Sequence, residues 1–385
     1  MRKVRDIAAV LFALVLALTG QVSLSQEARS VSTAEELQAL FARPLDSVEI
    51  RLLPGTYELT PTKTTDPVCG NCSNSNTTVN ITLGLRVTGK NVRISGPEDR
   101  TATIVTHAGY GIYFDDCKDC GIHDNMGVPA IIAKNTVGIM GICGLTGARL
   151  TILRNEVIRN SWDGIALYRG AEAVISGNIV DGVDKATGRN AGGGRGVGIG
   201  VTWDAKALIE GNLVKRYWKG IGLFVNADGA VRRNIVEEIL TWGITLWDAG
   251  KGAPRGNIEE NVIYDTGTCG AAITRTNPGE NPGRFIGNIL LQTCRNPKYD
   301  TSLVYCYQCA LAQHAVPEGF IIEGNLFYDN RRGSKSLPDY DMPKEKFLEG
   351  IRPLCRILEG YSNLRGSKFL SKYGYHPEPI FKSWR

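Results

Sequence analysis

Charged and aromatic side chains recur at one place in this chain, shortly after a Gly-aliphatic step that is itself repeated. Counting from that glycine, positions four to six hold the candidate residues Asp115, Asp116, Tyr168, Arg169, Trp203, Asp204, Phe224, Trp247, Asp248 and Arg275. A carboxylate can remove a proton or activate water, and a guanidinium stabilises a developing negative charge. Aromatic faces stack on flat rings. This combination of residue types predicts acid–base chemistry on an anionic, ring-containing ligand.

Different roles are expected for different members of this set. For removal of a proton and stabilisation of the resulting negative charge we predict a catalytic group consisting of Arg169, Asp204, Asp248 and Arg275. The aromatic residues expected to bind a sugar chain are Tyr168, Trp203, Phe224 and Trp247. Calcium suits acidic oxygens, and Asp115 with Asp116 are the residues predicted to hold it. Hydrolysis would instead need two carboxylates flanking one bond.

Each of these residues also has a structural interpretation. The tryptophans could pack beneath loops inserted between coils, and Asp204 or Asp163 could cap turns. Asp248 and Arg275 fall at matching positions of neighbouring repeats, so they could form a surface ion pair. His123, in Gly-Ile-His-Asp, is the best histidine candidate for a base, although a solvated surface histidine is the simpler interpretation.

An internal repeat determines how these residues are positioned. An Asn followed by aliphatic residues recurs at Asn155, Asn178, Asn212, Asn234, Asn261, Asn288 and Asn325, with Gly-aliphatic steps such as Gly164-Ile-Ala-Leu between them. Units of 22 to 37 residues with short alternating strands cannot bury their apolar side chains alone, so they must stack. The pattern predicts a parallel β-helix with an internal aliphatic ladder. The recurring Asn is expected to adopt left-handed backbone geometry and to bond the neighbouring coil.

The ends of the stack require caps. Residues 32–41 begin with capping-box spacing and place apolar residues on one face, which predicts an N-terminal capping helix. After Asn330 the repeat lapses, and an irregular C-terminal cap is expected, with a helix at 344–358 broken at Pro353. The predicted division is a signal peptide at 1–25, a β-helix domain at 26–330 and a C-terminal capping segment at 331–385.

Composition and charge narrow the class of protein. Glycine accounts for 45 of 385 residues, while 43% hydrophobic and 22% charged residues are ordinary for a folded chain. A basic start, an apolar run over 7–19 and small residues up to Ser25 predict a secretory signal too short to span a membrane. Without it the formal net charge falls from +5 to +3. We expect a secreted or periplasmic monomer with neither nucleic acid as a partner nor stable membrane insertion.

Ten cysteines in an exported chain favour disulfides over zinc or redox sites. Three pairs have Cys-x-x-Cys spacing: Cys69/Cys72, Cys117/Cys120 and Cys306/Cys309. Each pair lies in a turn-rich stretch without a helical pattern after it, unlike a thioredoxin-type site. The cysteines are therefore expected to be mostly oxidised and metal-free, and Cys269 and Cys294 are expected on neighbouring coils.

The chain resembles the pectin-lyase-like superfamily of right-handed parallel β-helices, which contains pectate lyases, polygalacturonases and alginate epimerases. The resemblance rests on the helix at 32–41, on Val48-Glu-Ile-Arg-Leu-Leu-Pro-Gly-Thr-Tyr57, on Asn91-Val-Arg-Ile-Ser-Gly96 and on the Gly-Asn-x-Ile repeats. It implies an all-β, right-handed solenoid, as does the usual handedness of parallel crossovers. The ordered polygalacturonase series and the Asp-Pro-His-Asp motif of the epimerases are absent from the sequence.

Two classes of function follow from these observations. The favoured one is a polysaccharide-active enzyme on acidic, uronate-containing chains, a lyase or a related hydrolase or epimerase. The alternative is a noncatalytic glycan-binding or cell-envelope structural protein, because a fold does not determine function. If the candidate face binds glycan, Arg169→Ala and Trp203→Ala should weaken binding and leave thermal stability nearly unchanged.

Overall fold

The structure is a computed structural model that describes residues 27–67, 77–124, 140–158, 160, 162–182, 196–279, 281–300 and 308–374. The predicted signal peptide, the Cys69/Cys72 pair, Cys306 and Trp384 lie outside the described residues. Within them the chain forms a right-handed parallel β-helix, so the predicted all-β solenoid class is confirmed.

Successive coils stack because aliphatic residues alternate with outward residues at the same step of each coil. Ile165, Ile199, Ile221 and Ile244 pair directly in register, and each is fully buried in the interior. The side chains two residues later, Leu167, Val201, Leu223 and Leu246, form a second internal row. Burial of these two rows supplies the hydrophobic core, as the alternation predicts.

Three long sheets run along the solenoid. The eleven-stranded sheet is parallel and contains β1 (Glu27–Val31), β2 (Leu45–Leu52), β6 (Gly89–Ser95), β9 (Cys120–His123), β11 (Arg149–Leu153), β14 (Glu172–Ser176), β17 (Lys206–Glu210), β20 (Asp228–Arg232), β23 (Arg255–Glu259), β26 (Gly283–Ile286) and β29 (Ile321–Glu323). The seven-stranded sheet is also parallel and contains β12 (Glu156–Ile158), β15 (Ile179–Asp181), β18 (Leu213–Lys215), β21 (Ile235–Ile239), β24 (Val262–Thr266), β27 (Ile289–Leu291) and β30 (Leu326–Tyr328).

The ten-stranded sheet carries the candidate residues. It contains β4 (Thr62–Asp66), β5 (Val79–Val87), β8 (Tyr110–Asp115), β10 (Met140–Leu145), β13 (Asp163–Leu167), β16 (Val197–Val201), β19 (Lys219–Phe224), β22 (Trp242–Trp247), β25 (Cys269–Thr274) and β28 (Leu311–Ala315). Its strands are parallel except for the antiparallel pair β4–β5 at one edge. A short parallel pair, β3 (Gly55–Glu58) and β7 (Ala102–Val105), lies beside these sheets in the chain's first coils.

The recurring asparagines form a buried ladder between the eleven-stranded and seven-stranded sheets. Asn234 Oδ1 accepts from the backbone N–H and the side-chain amide of Asn212, each at 2.9 Å, and Asn234 donates to Asn261 in turn. The predicted bond to the neighbouring coil is confirmed. The predicted left-handed geometry is not at the Asn but at the residue before it, as at Arg233 with φ of 55°. That residue makes the turn, which leaves the Asn side chain directed inward.

The N-terminal cap is the helix α1 (Ala34–Leu40). Thr33 caps it and forms a capping box with Glu36, which is the second of the two spacings in the sequence. Ala34 and Leu37 are buried in the main core, so the helix covers the first coils as predicted.

The C-terminal segment covers the last coil and then runs back along the side of the solenoid. Tyr340 stacks on Phe327 with a centroid distance of 4.9 Å, and its hydroxyl donates to the Leu311 carbonyl at 3.3 Å. Two α-helices, α2 (Lys344–Leu358) and α3 (Lys368–Tyr373), and a 3₁₀ turn at Ser362–Gly366 follow. These elements pack on the outer face of the seven-stranded sheet.

The expected break at Pro353 is wrong, because α2 continues through it. A proline removes one backbone donor from a helix interior, which normally disfavours the helix. Here the helix buries Phe347, Ile351, Leu354 and Leu358 on one face against the seven-stranded sheet. Burial of that apolar face outweighs the missing hydrogen bond.

Among the cysteines that the structure describes, fewer are oxidised than predicted. Cys117 and Cys120 form a disulfide, while Cys143, Cys294, Cys309 and Cys355 are buried thiols. Cys269, Cys294 and Cys309 lie in one buried cluster, which agrees with the expectation that Cys269 and Cys294 come from neighbouring coils. No helix among the described residues is long and apolar enough to cross a membrane.

Candidate functional site

The outer face of the ten-stranded sheet has a floor of small residues in register. This small-residue row consists of Ala166, Gly200, Gly222, Thr245 and Ala272, one from each of five consecutive coils. At about 4.8 Å per coil the row is roughly 20 Å long. The candidate residues from the following turns stand along one side of this floor.

A lysine surrounded by aromatic rings lies on this face. Lys219 Nζ is 5.4 Å from the ring centroid of Phe224, 5.1 Å from that of Trp242 and 5.3 Å from that of Trp247. The two ends of β19 supply Lys219 and Phe224, and the two ends of β22 supply both tryptophans. We call these four residues the Lys219 cage. Trp247 is 41% exposed, so part of its ring surface is open to a ligand.

A buried carboxyl lies two coils from Lys219 in the same register. Asp163 is 2% exposed; its Oδ2 accepts from the Tyr168 hydroxyl at 2.6 Å, and its Oδ1 accepts from the Val197 N–H at 3.0 Å. Burial raises the pKa of Asp163 to about 6, against the opposing effects of the two hydrogen bonds and of the Lys219 charge. Such a carboxyl can accept and return protons near neutral pH.

The predicted sugar-binding aromatics therefore occupy different environments. Tyr168 is buried and bound to Asp163, whereas Phe224 and Trp247 pack edge to face at 6.2 Å within the Lys219 cage. Trp203 is half-buried, with Lys251 Nζ 5.6 Å from its ring centroid. Of the four, Trp247 offers the most accessible surface.

Arg169 and Asp204 lie at turns but have different surroundings. Asp204 is exposed, with a positive φ of 65°. Arg169 forms an ion pair with Asp66 at 3.1 Å, and Tyr110 donates to the same carboxylate at 3.0 Å. The Nε atom of Arg169 is buried and forms no hydrogen bond with any described residue. Asp66, at the end of β4, thus neutralises the predicted catalytic arginine.

Asp248 and Arg275 are held by local turns. Asp248 is 2% exposed and accepts from the Gly250 N–H and from both the N–H and the hydroxyl of Thr276. Burial alone would raise the pKa of Asp248, but these hydrogen bonds hold it below its usual range. Arg275 is also 2% exposed and donates to the Pro254 carbonyl at 3.1 Å. The contacts of both side chains are those of turn-stabilising residues.

The two aspartates predicted for calcium do not fit the ion. Asp115 pairs with Arg86 at 2.6 Å, and Asp116 pairs with Lys118 at 2.7 Å. Calcium takes six to eight oxygen ligands, and a neighbouring cation competes with it for each carboxylate. Among the described residues no three His, Cys, Asp or Glu side chains are grouped so that they could hold a metal.

Several residues of this face were not among the site residues predicted by comparing the repeats of the sequence. Asp163, Lys219 and Trp242 each stand immediately before the repeated glycine, at Gly164, Gly220 and Gly243. The comparison of the repeats considered only positions after the glycine, so it did not include the position immediately before it. A search of the position before it would have found all three. Asp66 gave no comparable signal, because it contacts Arg169 across 103 residues of sequence.

His123 lies on another face of the solenoid. It belongs to β9 in the eleven-stranded sheet, where its Nε2 is 2.8 Å from Thr151 Oγ1. Burial lowers the pKa of His123 to about 4. It is therefore neutral near pH 7 and does not face the small-residue row.

The chain is similar in structure to several solved proteins of low sequence identity. No family model matches the chain. Its structure is similar to the Dettilon tailspike protein (14% identity, 79% of this chain and 54% of the tailspike, TM-score 0.45). It is also similar to a pectate lyase from Bacillus sp. N165 in complex with trigalacturonate (13% identity, 86% of this chain and 92% of the lyase, TM-score 0.43). A third similar structure is a mannuronan C-5 epimerase A-module from Azotobacter vinelandii (13% identity, 77% of this chain and 88% of the module, TM-score 0.39). The chain spans about half the length of the tailspike. The resemblance to pectin-lyase-like β-helices is confirmed for the fold, which this chain's own sheets establish.

Proposed function

We propose that this protein binds an acidic polysaccharide along the outer face of the ten-stranded sheet and cleaves it as a lyase. The observation that supports this most directly is the Lys219 cage, an ammonium group within 5.4 Å of three ring centroids beside a row of small residues. Packing of the solenoid requires only aliphatic residues inside, so these outward residues serve another purpose.

The chemistry of the cage matches a uronate chain. Aromatic faces stack on pyranose rings, and Trp247, which is 41% exposed, offers such a face. The ammonium of Lys219 can pair with a sugar carboxylate.

The residues predicted from sequence contribute to this proposal unequally. Trp203, Phe224 and Trp247 remain the proposed sugar-binding aromatics, and Asp204 is an exposed carboxylate at the edge of the floor. Arg169 can act only if Asp66 is displaced from it. We assign no step to calcium, because the Asp115 and Asp116 region does not fit the ion.

An extracellular or periplasmic location and a monomeric state belong to the same proposal. A polysaccharide of the cell surface or of the surroundings is met outside the cytoplasm, which agrees with the secretory signal predicted from the sequence. A solenoid with both ends covered has no open strand edge that must pair with a second copy.

A noncatalytic glycan-binding protein is the second candidate. It is favoured by the burial of Asp163 and Tyr168, which hydrogen bond to each other, and by the turn contacts of Asp248 and Arg275. In that case the Lys219 cage would bind sugar without subsequent chemistry.

One set of incubations separates the two candidates. The purified protein is mixed with pectate, alginate and other uronates, with and without a chelator. New ultraviolet absorbance from a carbon–carbon double bond indicates a lyase, and reducing ends without that absorbance indicate a hydrolase. Retention on an affinity gel without products indicates a binder.

A matched pair of variants tests the location. Lys219→Gln should abolish retention on the polyuronate gel. Lys206→Gln should not, because Lys206 is an exposed lysine paired with Glu172 on the eleven-stranded sheet. Equal retention of both variants would refute the proposed site.

A further inference from the structure

We infer that Asp163 is the catalytic acid–base residue of this site, and that Tyr168 is its positioning residue. The inference rests on the proposed function, since it names the group that would move the proton during cleavage on the outer face of the ten-stranded sheet. Neither residue was among the predicted catalytic residues.

The surroundings of Asp163 leave a methyl-sized space on one side of the carboxylate. Oδ1 is occupied by the Val197 N–H at 3.0 Å, and Oδ2 accepts from Tyr168 at 2.6 Å. A methyl group added at Gly200, one coil further along the floor, would lie 3.7 Å from Oδ2, in ordinary contact. Because Gly200 has no side chain, a methyl-sized space remains beside Oδ2 at the small-residue row.

The charges near Asp163 suit a base that works near neutral pH. Among the described residues, the Lys219 ammonium is a positive charge that favours the ionised form of Asp163. The other titratable groups facing it are the phenols of Tyr168 and Tyr217 and the thiol of Cys143. Burial raises the pKa of all three of these groups, so they stay neutral. The ionised carboxylate of Asp163 is therefore the basic group of this cluster.

The elimination balances with this one residue and the substrate. Asp163 Oδ2 takes the proton from C5 of the uronate while Lys219 neutralises the charge that builds on the sugar carboxylate. The electron pair of the C5–H bond forms the C4–C5 double bond, and the C4–O4 bond breaks. O4 then receives the proton from Asp163. The base is thereby regenerated, and no co-reactant is consumed.

Tyr168 orients the carboxylate and sets its basicity. Its hydroxyl donates to the same oxygen that faces the floor, and this hydrogen bond lowers the pKa of Asp163. Removal of the hydroxyl should therefore raise the pH at which the carboxylate ionises. A merely structural tyrosine would not shift the pH profile.

The test compares Asp163→Asn and Tyr168→Phe with Glu237→Gln. Glu237 is a matched control, because it is also buried, accepts two backbone N–H groups and has a pKa raised by burial, but lies on the seven-stranded sheet. We expect Asp163→Asn to lower kcat on polyuronate by about 10²- to 10⁴-fold with retained gel binding. Tyr168→Phe should move the acidic limb of kcat/KM to higher pH, and Glu237→Gln should change neither.

Turnover of the Gly200→Ala variant gives a second test, which does not depend on whether the Asp163 variant folds. Its methyl group fits without a clash, so the thermal midpoint should hold while turnover falls. Turnover of Asp163→Asn within a few-fold of wild type, or unchanged turnover of Gly200→Ala, would overturn the inference and leave the proposed function standing. Gel binding by the wild type without turnover would overturn it too, in favour of the binder. Wild-type protein that neither binds nor cleaves polyuronate would overturn the proposed function itself.

Discussion

Replacing Asn234 with alanine interrupts the asparagine ladder near its middle. The side chain accepts two hydrogen bonds from Asn212 and donates three, to Ile209, Arg232 and Asn261, all between 2.9 and 3.0 Å. Alanine removes all five and leaves the buried backbone N–H of Asn212 without the side-chain oxygen to which it donates.

The size of the effect follows from these contacts. At a net 0.5–1.5 kcal/mol for each hydrogen bond, the loss is about 3 to 7 kcal/mol. Asn325, at the C-terminal end of the ladder, has three such bonds, two to Asn288 and one to Phe285, and it is only half-buried. Its replacement should cost about half as much.

Urea unfolding followed by circular dichroism measures the difference. Asn257→Ala is the control, since Asn257 is half-buried on the outer face of the eleven-stranded sheet. The expected order of lost unfolding free energy is Asn234→Ala, then Asn325→Ala, then Asn257→Ala. If Asn234→Ala and Asn257→Ala lowered the urea midpoint equally, the ladder would not be what joins the coils.

Three further results are expected. Arg169→Ala should destabilise the fold by about 3 kcal/mol in thermal or urea unfolding, because it removes the ion pair between Arg169 and the buried Asp66 carboxylate; an unchanged midpoint would contradict this. Gly222→Ala should weaken polyuronate retention, because the added methyl would lie 2.1 Å from the Phe224 ring and displace it; wild-type retention would count against the cage. For the wild type, kcat/KM should fall about tenfold per pH unit below about pH 6, since Asp163 must be ionised to act as a base; a flat profile from pH 4 to 7 would count against that role.

The first of these results replaces the expectation from the sequence for Arg169. Sequence reasoning placed the residue on an outward turn, so its removal was expected to leave stability nearly unchanged. The structure shows that Asp66, on the antiparallel strand β4, reaches across two coils to it. A contact between residues so far apart in sequence leaves no periodic pattern, and periodicity was the main source of the prediction.

The repeated parts of the fold could be predicted because each coil needs the same residue types at the same positions. The internal isoleucines and the ladder asparagines recur once per coil, and the structure places both sets as expected. The C-terminal helices occur once and dock by shape. Their buried face and their course along the seven-stranded sheet could not be inferred from any repeat. The prediction that α2 breaks at Pro353 was wrong because it considered only the effect of proline on the helix backbone.

The candidate site was predicted in part for a related reason. The outward turns were found from the residues after each repeated glycine, and Phe224 and Trp247 lie in the Lys219 cage. The residue before the glycine projects onto the same face, which the alternation of a regular strand does not suggest. The position before the glycine supplies Lys219 and Asp163, which are the cation and the acid–base residue of the proposed chemistry.

A crystal structure with a bound acidic oligosaccharide tests the central claim most directly. The account predicts a sugar chain on the outer face of the ten-stranded sheet, against the exposed ring of Trp247, with one carboxylate within hydrogen-bonding distance of Lys219 Nζ. An oligosaccharide bound on the eleven-stranded or seven-stranded sheet, with Lys219 free of sugar, would contradict it.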